Sequence, residues 1–194
     1  MADFILYTGP MFSSKTTKLL MEADTRQYRK QKIISFKSRL DDRYSDVGEI
    51  VTHNFNKLPA FLINSGEELI KVLAKHQELE VVLIDELFMI KGISSVCIEL
   101  FKKGYTIIAS SIDLSFQGEP FKEVEKIMPY CTQIIKCTAV CTVCGKDARY
   151  TYKKRNAKHI EKSELGPSVE TIEVGGSELY EPRCQEHYNY MQQL

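Results

Sequence analysis

Apolar and polar positions follow one rhythm over most of the chain and a different one near its end. Residues 4–7, 33–36, 61–63, 81–84, 106–109 and 133–137 are short runs rich in Ile, Val, Leu, Phe and Tyr. Several are continuously apolar, as expected of strands covered on both faces of a parallel sheet. Between them lie helical patterns. One covers residues 16–30. A second opens at the capping box Ser65-Gly66-Glu67-Glu68 and continues through Leu69-Ile70-Lys71-Val72-Leu73. A third covers 94–103 and stops at Gly104, and a short fourth covers 120–128 and is closed by Pro129. Strands alternating with helices predict an α/β fold with a parallel sheet. From Cys141 onward the rhythm is lost. Residues 150–153 and 169–174 are β-like, 185–192 form a terminal helical pattern, and the charged stretch 153–166 reads as an exposed loop. The chain therefore divides into an α/β domain at 1–140 and a small domain at 141–194. The second is too small to bury much core and needs a staple.

Composition narrows the classes. The chain has 194 residues, 43% of them hydrophobic, enough for a sizeable core. Its formal net charge is +0, and with no aromatic-basic face this argues against a zinc-ribbon module that binds nucleic acid. No apolar run approaches membrane-spanning length, and the N-terminal run 4–7 is too short for a signal core, so no membrane is expected. Of the six cysteines, Cys97, Cys131 and Cys137 sit in apolar or strand-like surroundings and read as buried thiols. A reducing, cytoplasmic compartment is expected.

The run Gly9-Pro10-Met11-Phe12-Ser13-Ser14-Lys15-Thr16 follows the first strand and precedes the first helix. Strand, tight loop, Lys-Thr and helix is the arrangement that cradles a nucleotide's phosphates. Backbone N–H groups and the positive helix end face the anion, Lys15 adds charge, and the Thr16 hydroxyl suits Mg²⁺. Against the pattern G-x-x-x-x-G-K-S/T there is one departure: Ser14 replaces the second glycine. The competing reading is an ordinary helix capped by Ser13 or Ser14.

Three further groups carry chemistry. Cys141-x-x-Cys144 and Cys184-x-x-His187 have the spacing of two zinc knuckles. Three thiolates and an imidazole would close the coordination sphere, which implies a structural zinc. The apolar run 81–84 ends in Asp85-Glu86, placing two carboxylates where parallel sheets bind ligands. Asp85 suits the nucleotide's Mg²⁺, and Glu86 suits a general base. Asp41-Asp42-Arg43-Tyr44 lies in a polar loop after the second strand, where Arg43 can neutralise a phosphoryl group. Phe116 and Phe121 flank Gly118 and suit an aromatic wall for a base. His53 has no assigned role.

GPMFSSKT at 9–16, DDRY at 41–44, DE at 85–86, IDLSFQGEPF at 112–121, TAVCTVC at 138–144, VGGSELY at 174–180 and the 184–187 knuckle together resemble the type II thymidine kinases, the tetrameric cytosolic kind. The resemblance runs in order over almost the whole chain. It implies a RecA-like P-loop domain that holds ATP·Mg²⁺, a zinc-containing lasso domain at 141–194, a homotetramer, and transfer of the ATP γ-phosphoryl to the 5′-hydroxyl of thymidine. It further implies that Glu86 is the base, that Thr16 and Asp85 are the magnesium ligands, and that Lys15, Asp41, Asp42 and Arg43 border the phosphates. Phe88, Phe116, Phe121 and Thr151 would line the nucleoside pocket. Thr171, Ile172, Glu173, Val174 and Gly175 would read the thymine edge, with Tyr180 beneath. Two positions depart from the family pattern: Ser14 replaces glycine, and Phe88 replaces the glutamine common after DE. These two favour a rival reading, a nucleotide-binding paralogue without kinase activity. Lys15, Arg43, Asp85 and Glu86 argue against it.

Overall fold

The computed structural model describes residues 2–41, 48–51, 57–154 and 175–188. In chain order the elements are β1 (Phe4–Thr8), α1 (Lys15–Tyr28), β2 (Ile33–Ser38), β3 (Glu49–Val51), β4 (Lys57–Pro59), β5 (Phe61–Ile63), α2 (Gly66–Leu73), β6 (Val81–Asp85), α3 (Ile93–Lys102), β7 (Thr106–Ser111), α4 (Lys122–Ile127), β8 (Gln133–Lys136), β9 (Ala139–Val140), β10 (Asp147–Ala148), β11 (Tyr150–Lys153) and β12 (Tyr180–Arg183). Single 3₁₀ turns follow β6 and α4.

Six strands form one sheet in the order β5-β2-β6-β7-β1-β8, and every pairing in it is parallel. The continuously apolar strands have a direct physical meaning here. Side chains alternate across a strand, so Phe4 and Leu6 of β1 and Val82 and Ile84 of β6 enter one core cluster. Ile5, Tyr7, Val81 and Leu83 enter the other. Helix α1 seals the second face with Leu19, Leu20 and Ala23. The first face is covered by Leu69 of α2, Ile93, Cys97 and Leu100 of α3, and Val124 and Ile127 of α4. The edge strand β8 is mostly exposed.

Local signals are realised with small changes. Ser65 Oγ accepts from the Glu68 N–H, but Glu68 Oε2 reaches back to the Asn64 N–H, one residue earlier than in the usual box. The expected helix at 120–128 is shorter, because Pro120 is bridged to Leu114 and Phe121 is extended. The antiparallel pair β3–β4 was not apparent in the sequence.

The Cys/His region is built from two short antiparallel pairs, β9–β10 and β11–β12. Its own buried cluster contains only Ala139, Cys141, Ala148 and Cys184, with Phe12 packed against it. Most of the expected loop at 153–166, the β-like stretch 169–174 and all but the start of 185–192 lie outside the described residues; residues 185–187 form a turn.

Candidate active site

The C-terminal ends of β1, β2, β6 and β7 converge on one edge of the sheet. The loop after β1 is tightly determined. Gly9 has φ 140°, and a Cβ there would lie 2.3 Å from the Cys137 carbonyl oxygen, so no side chain fits. Phe12 (φ 63°) and Ser14 (φ 59°, ψ 25°) are left-handed without being glycine. Ser14 occupies the N-cap of α1, yet its side chain makes no capping bond. The Ser13 hydroxyl donates to Pro10 O at 2.8 Å. Neither serine therefore caps the helix through its side chain, and the simple capped-helix reading fails. Lys15 is buried, and its ammonium donates to Pro10 O (2.6 Å) and Ser13 Oγ (3.4 Å). Burial lowers its pKa, while the carboxylates of Glu86 and Asp85 oppose that shift.

β7 separates β1 from β6, so the loop and the acidic pair stand two strand spacings apart, about 10 Å. Side chains bridge the gap. The Thr16 hydroxyl donates to Asp85 Oδ1 (3.2 Å), and Ser110 of β7 also donates to Asp85. The Asp85 carboxyl is pushed up to about 7, first by burial and then by the neighbouring Glu86; the Ser110 hydrogen bond and Lys37 work the other way. Glu86 is buried with φ 50° and ψ 48°, in left-handed backbone just past the end of β6. A non-glycine residue in that region costs roughly 1–3 kcal/mol, and such strain clusters at functional sites.

Sequence reading missed two residues of this cluster, Ser110 and Lys37. Lys37 is 1% exposed, faces Asp85 in register, and pairs with the buried Asp41 at 3.3 Å. A lysine next to the apolar run Ile33-Ile34-Ser35-Phe36 was the available signal. Asp42 and Arg43, like His53, lie outside the described residues.

The aromatic residues expected around the nucleoside make ring contacts. Phe88 and Phe121 are in ring contact with centroids 4.4 Å apart, so the position expected to be glutamine packs instead of hydrogen-bonding through its side chain. Phe116 faces Tyr180 at 6.2 Å, with the Lys153 ammonium 5.2 Å from its ring centre. The buried Thr151 does something the sequence did not suggest: its Oγ1 accepts the Met11 N–H at 3.0 Å. Gly175 packs against Leu179 with no room for a Cβ. Thr171, Ile172, Glu173 and Val174 lie outside the described residues.

The ligand atoms of Cys141, Cys144, Cys184 and His187 all lie within 4.8 Å of one another. Cys144 Sγ to Cys184 Sγ is 3.7 Å, and Cys141 Sγ to His187 Nδ1 is 3.8 Å. A tetrahedral zinc site with bonds of about 2.3 Å has edges of roughly 3.8 Å, so the cluster fits zinc. Burial opposes the Cys141 thiolate, but backbone hydrogen bonds from Cys184, Val143 and Cys144 outweigh it and lower the thiol to about 6. By contrast, burial pushes Cys97 well up and Cys131 up to about 12, as suits inert thiols. Among the described residues no helix is long and apolar enough to cross a membrane.

Comparison with known proteins agrees with this geometry. The profile of the family described as thymidine kinase matches residues 2–188. A thymidine kinase of Thermococcus kodakarensis is 37% identical over 185 residues, covering 93% of this chain and 91% of the relative. Thymidine kinases of onion yellows phytoplasma and aster yellows witches'-broom phytoplasma are each 34% identical over 181 residues, covering 93% of this chain and 83% of each relative.

Proposed function

The chain belongs to the thymidine kinase family, and from this we propose that it transfers the γ-phosphoryl group of ATP to the 5′-hydroxyl of thymidine, giving dTMP and ADP. One observation carries the assignment of roles. Thr16 at the start of α1 and Asp85 at the end of β6 meet across the end of β7, so phosphate loop and acidic pair form one site. A hydroxyl beside a buried carboxylate is a hard oxygen pair that suits magnesium, which also takes water and phosphate oxygens. When bound there, magnesium would neutralise phosphate charge.

Phosphoryl transfer is mostly positioning and charge stabilisation. The loop amides and the α1 N-terminus attract the phosphates. Lys15 exchanges its internal partner, Pro10 O, for phosphate oxygens, and burial makes that charge effective. Asp41, Asp42 and Arg43 border the same phosphates. Glu86 accepts the 5′-hydroxyl proton as the oxygen attacks phosphorus. Phe88, Phe116 and Phe121 wall the base, with Thr151 and Tyr180 beside it. By the family resemblance, residues 153–176 would form a lasso over the nucleoside, with main-chain groups of 171–175 reading the thymine edge. The Cys/His cluster holds a structural zinc with no open position, in a second domain at 141–194.

Two further assignments belong to this reading. The protein is a homotetramer, supported by exposed apolar side chains on α1 (Met21 and Tyr28, the latter 89% exposed) and by Ile134 on the free edge strand β8. It works in the cytoplasm, where a reduced Cys₃His set persists. The test is ATP-dependent phosphorylation of thymidine against deoxycytidine and deoxyguanosine. Thymidine should be strongly preferred; equal turnover of all three, or none with any, overturns the assignment. No observation on the described residues favours the non-catalytic rival.

A further inference from the structure

The phosphate loop carries two non-glycine residues in left-handed backbone, Phe12 and Ser14. Such strain persists only where surrounding structure over-determines the backbone. The loop's own bonds, Ser13 and Lys15 to Pro10 O, fix its start. Its middle is fixed from the Cys/His region. The Met11 N–H, buried, is accepted by Thr151 Oγ1 of β11 at 3.0 Å. Phe12, next along, packs both on the main core and on the cluster containing Cys141 and Cys184. β11 in turn is paired with β12, Thr151 opposite Pro182, and β12 runs straight into Cys184.

We propose that Thr151 is a positioning residue for the nucleotide site: its hydroxyl braces the phosphate loop through the Met11 N–H, and so links the zinc-stapled region to phosphate binding. This rests on the kinase reading and adds a role to Thr151 beyond lining the nucleoside pocket. With the brace removed, a buried N–H loses its acceptor and the loop relaxes away from its strained, phosphate-ready shape. Coupling between two sites is reciprocal, so a nucleotide that requires the braced loop also strengthens retention of the metal.

The test uses the full-length, zinc-loaded protein and ADP·Mg²⁺ without thymidine, so that any effect through the nucleoside pocket is absent. Thr151→Val keeps the shape and deletes the acceptor; ADP affinity should fall about tenfold, the equivalent of one lost buried hydrogen bond. Thr151→Ser keeps the hydroxyl and should bind ADP within about twofold of wild type. A second readout needs no variant. Wild-type protein is titrated with a chromogenic zinc chelator, and more zinc should be retained at equilibrium when ADP·Mg²⁺ is present. Thr151→Val binding ADP like wild type, or zinc retention indifferent to ADP, overturns the proposal. If Thr151→Val does not fold, the zinc-retention arm decides. Wild-type protein that fails to bind ADP at all sinks the kinase reading itself, a separate result.

Discussion

The sheet region and the Cys/His region solve the same problem by different means. The first buries whole strands: β1, β6 and β7 are covered on both faces, and each fully buried Leu, Ile or Phe is worth roughly 1.5–3 kcal/mol. The second has only a small cluster of its own, Ala139, Cys141, Ala148 and Cys184 with Phe12 packed against it, and its Leu179 and Tyr180 are buried in the main core instead. It also gathers four candidate ligand atoms within 4.8 Å of one another. The left-handed backbone at Phe12, Ser14 and Glu86 is held at the end of the first region's large core. The second region has a smaller core of its own, and we expect a metal at its Cys/His cluster to stabilise it.

The largest effect follows from breaking the staple. Structural zinc in small domains contributes on the order of 10–16 kcal/mol of apparent binding free energy, which is folding free energy for the part that holds it. Cys144→Ser should release about one zinc per chain. Amides of β9–β12 should then exchange hydrogen rapidly while those of β1, β6 and β7 stay protected. Uniform loss of protection, or no stoichiometric zinc in the wild type, would erase the contrast between the regions.

The sheet region should respond to pH through Asp85. Its carboxyl is raised from 3.8 to about 7, so the folded, metal-free and nucleotide-free protein holds a proton that the unfolded chain gives up near pH 4. The corresponding stability is complete below pH 4 and is lost as pH rises through about 7. Asp85→Asn should flatten this slope and raise the Tm of the free protein at pH 8, even as kinase activity disappears. Melting curves at pH 5 and pH 8 with unchanged slope in the variant would contradict it.

The smallest effect is at Ser14. A left-handed Cβ costs roughly 1–2 kcal/mol, and glycine returns about 0.5–1 kcal/mol of that as unfolded-chain entropy. Ser14→Gly should thus stabilise the fold by about 0.5–1 kcal/mol, a Tm rise of about 1–4 °C. Because the strain is already present before nucleotide binds, ADP affinity should change by less than tenfold. A lower Tm would mean that serine is favoured at this position by contacts other than its backbone.

The sheet was readable from the sequence because its strands are unbroken apolar runs, and those force burial on two faces. The tight loop after β1 and the Cys/His cluster were readable because their chemistry fixes residue types at fixed spacings. What escaped depends on long-range register. Lys37 matters because β2 pairs with β6 and sets it opposite Asp85, and no local pattern encodes that neighbour. Ser110 is a small residue at a strand end until β7 is placed between β1 and β6. Thr151 looked like a pocket position, and its bond to Met11 spans 140 residues of sequence. The cost of Ser14 became decidable only with its φ of 59° in hand.

The most direct test of the central claim is a single-turnover transfer of labelled phosphoryl from ATP to thymidine, comparing wild type with Glu86→Gln and measuring ADP affinity in parallel. Glu86→Gln keeps the shape of the side chain but cannot accept the 5′-hydroxyl proton. Wild type should form labelled dTMP, the variant should do so roughly 10²–10⁴-fold more slowly, and both should bind ADP alike. Binding of ADP by a wild-type protein that forms no dTMP, or a variant that transfers phosphoryl at the wild-type rate, would contradict it.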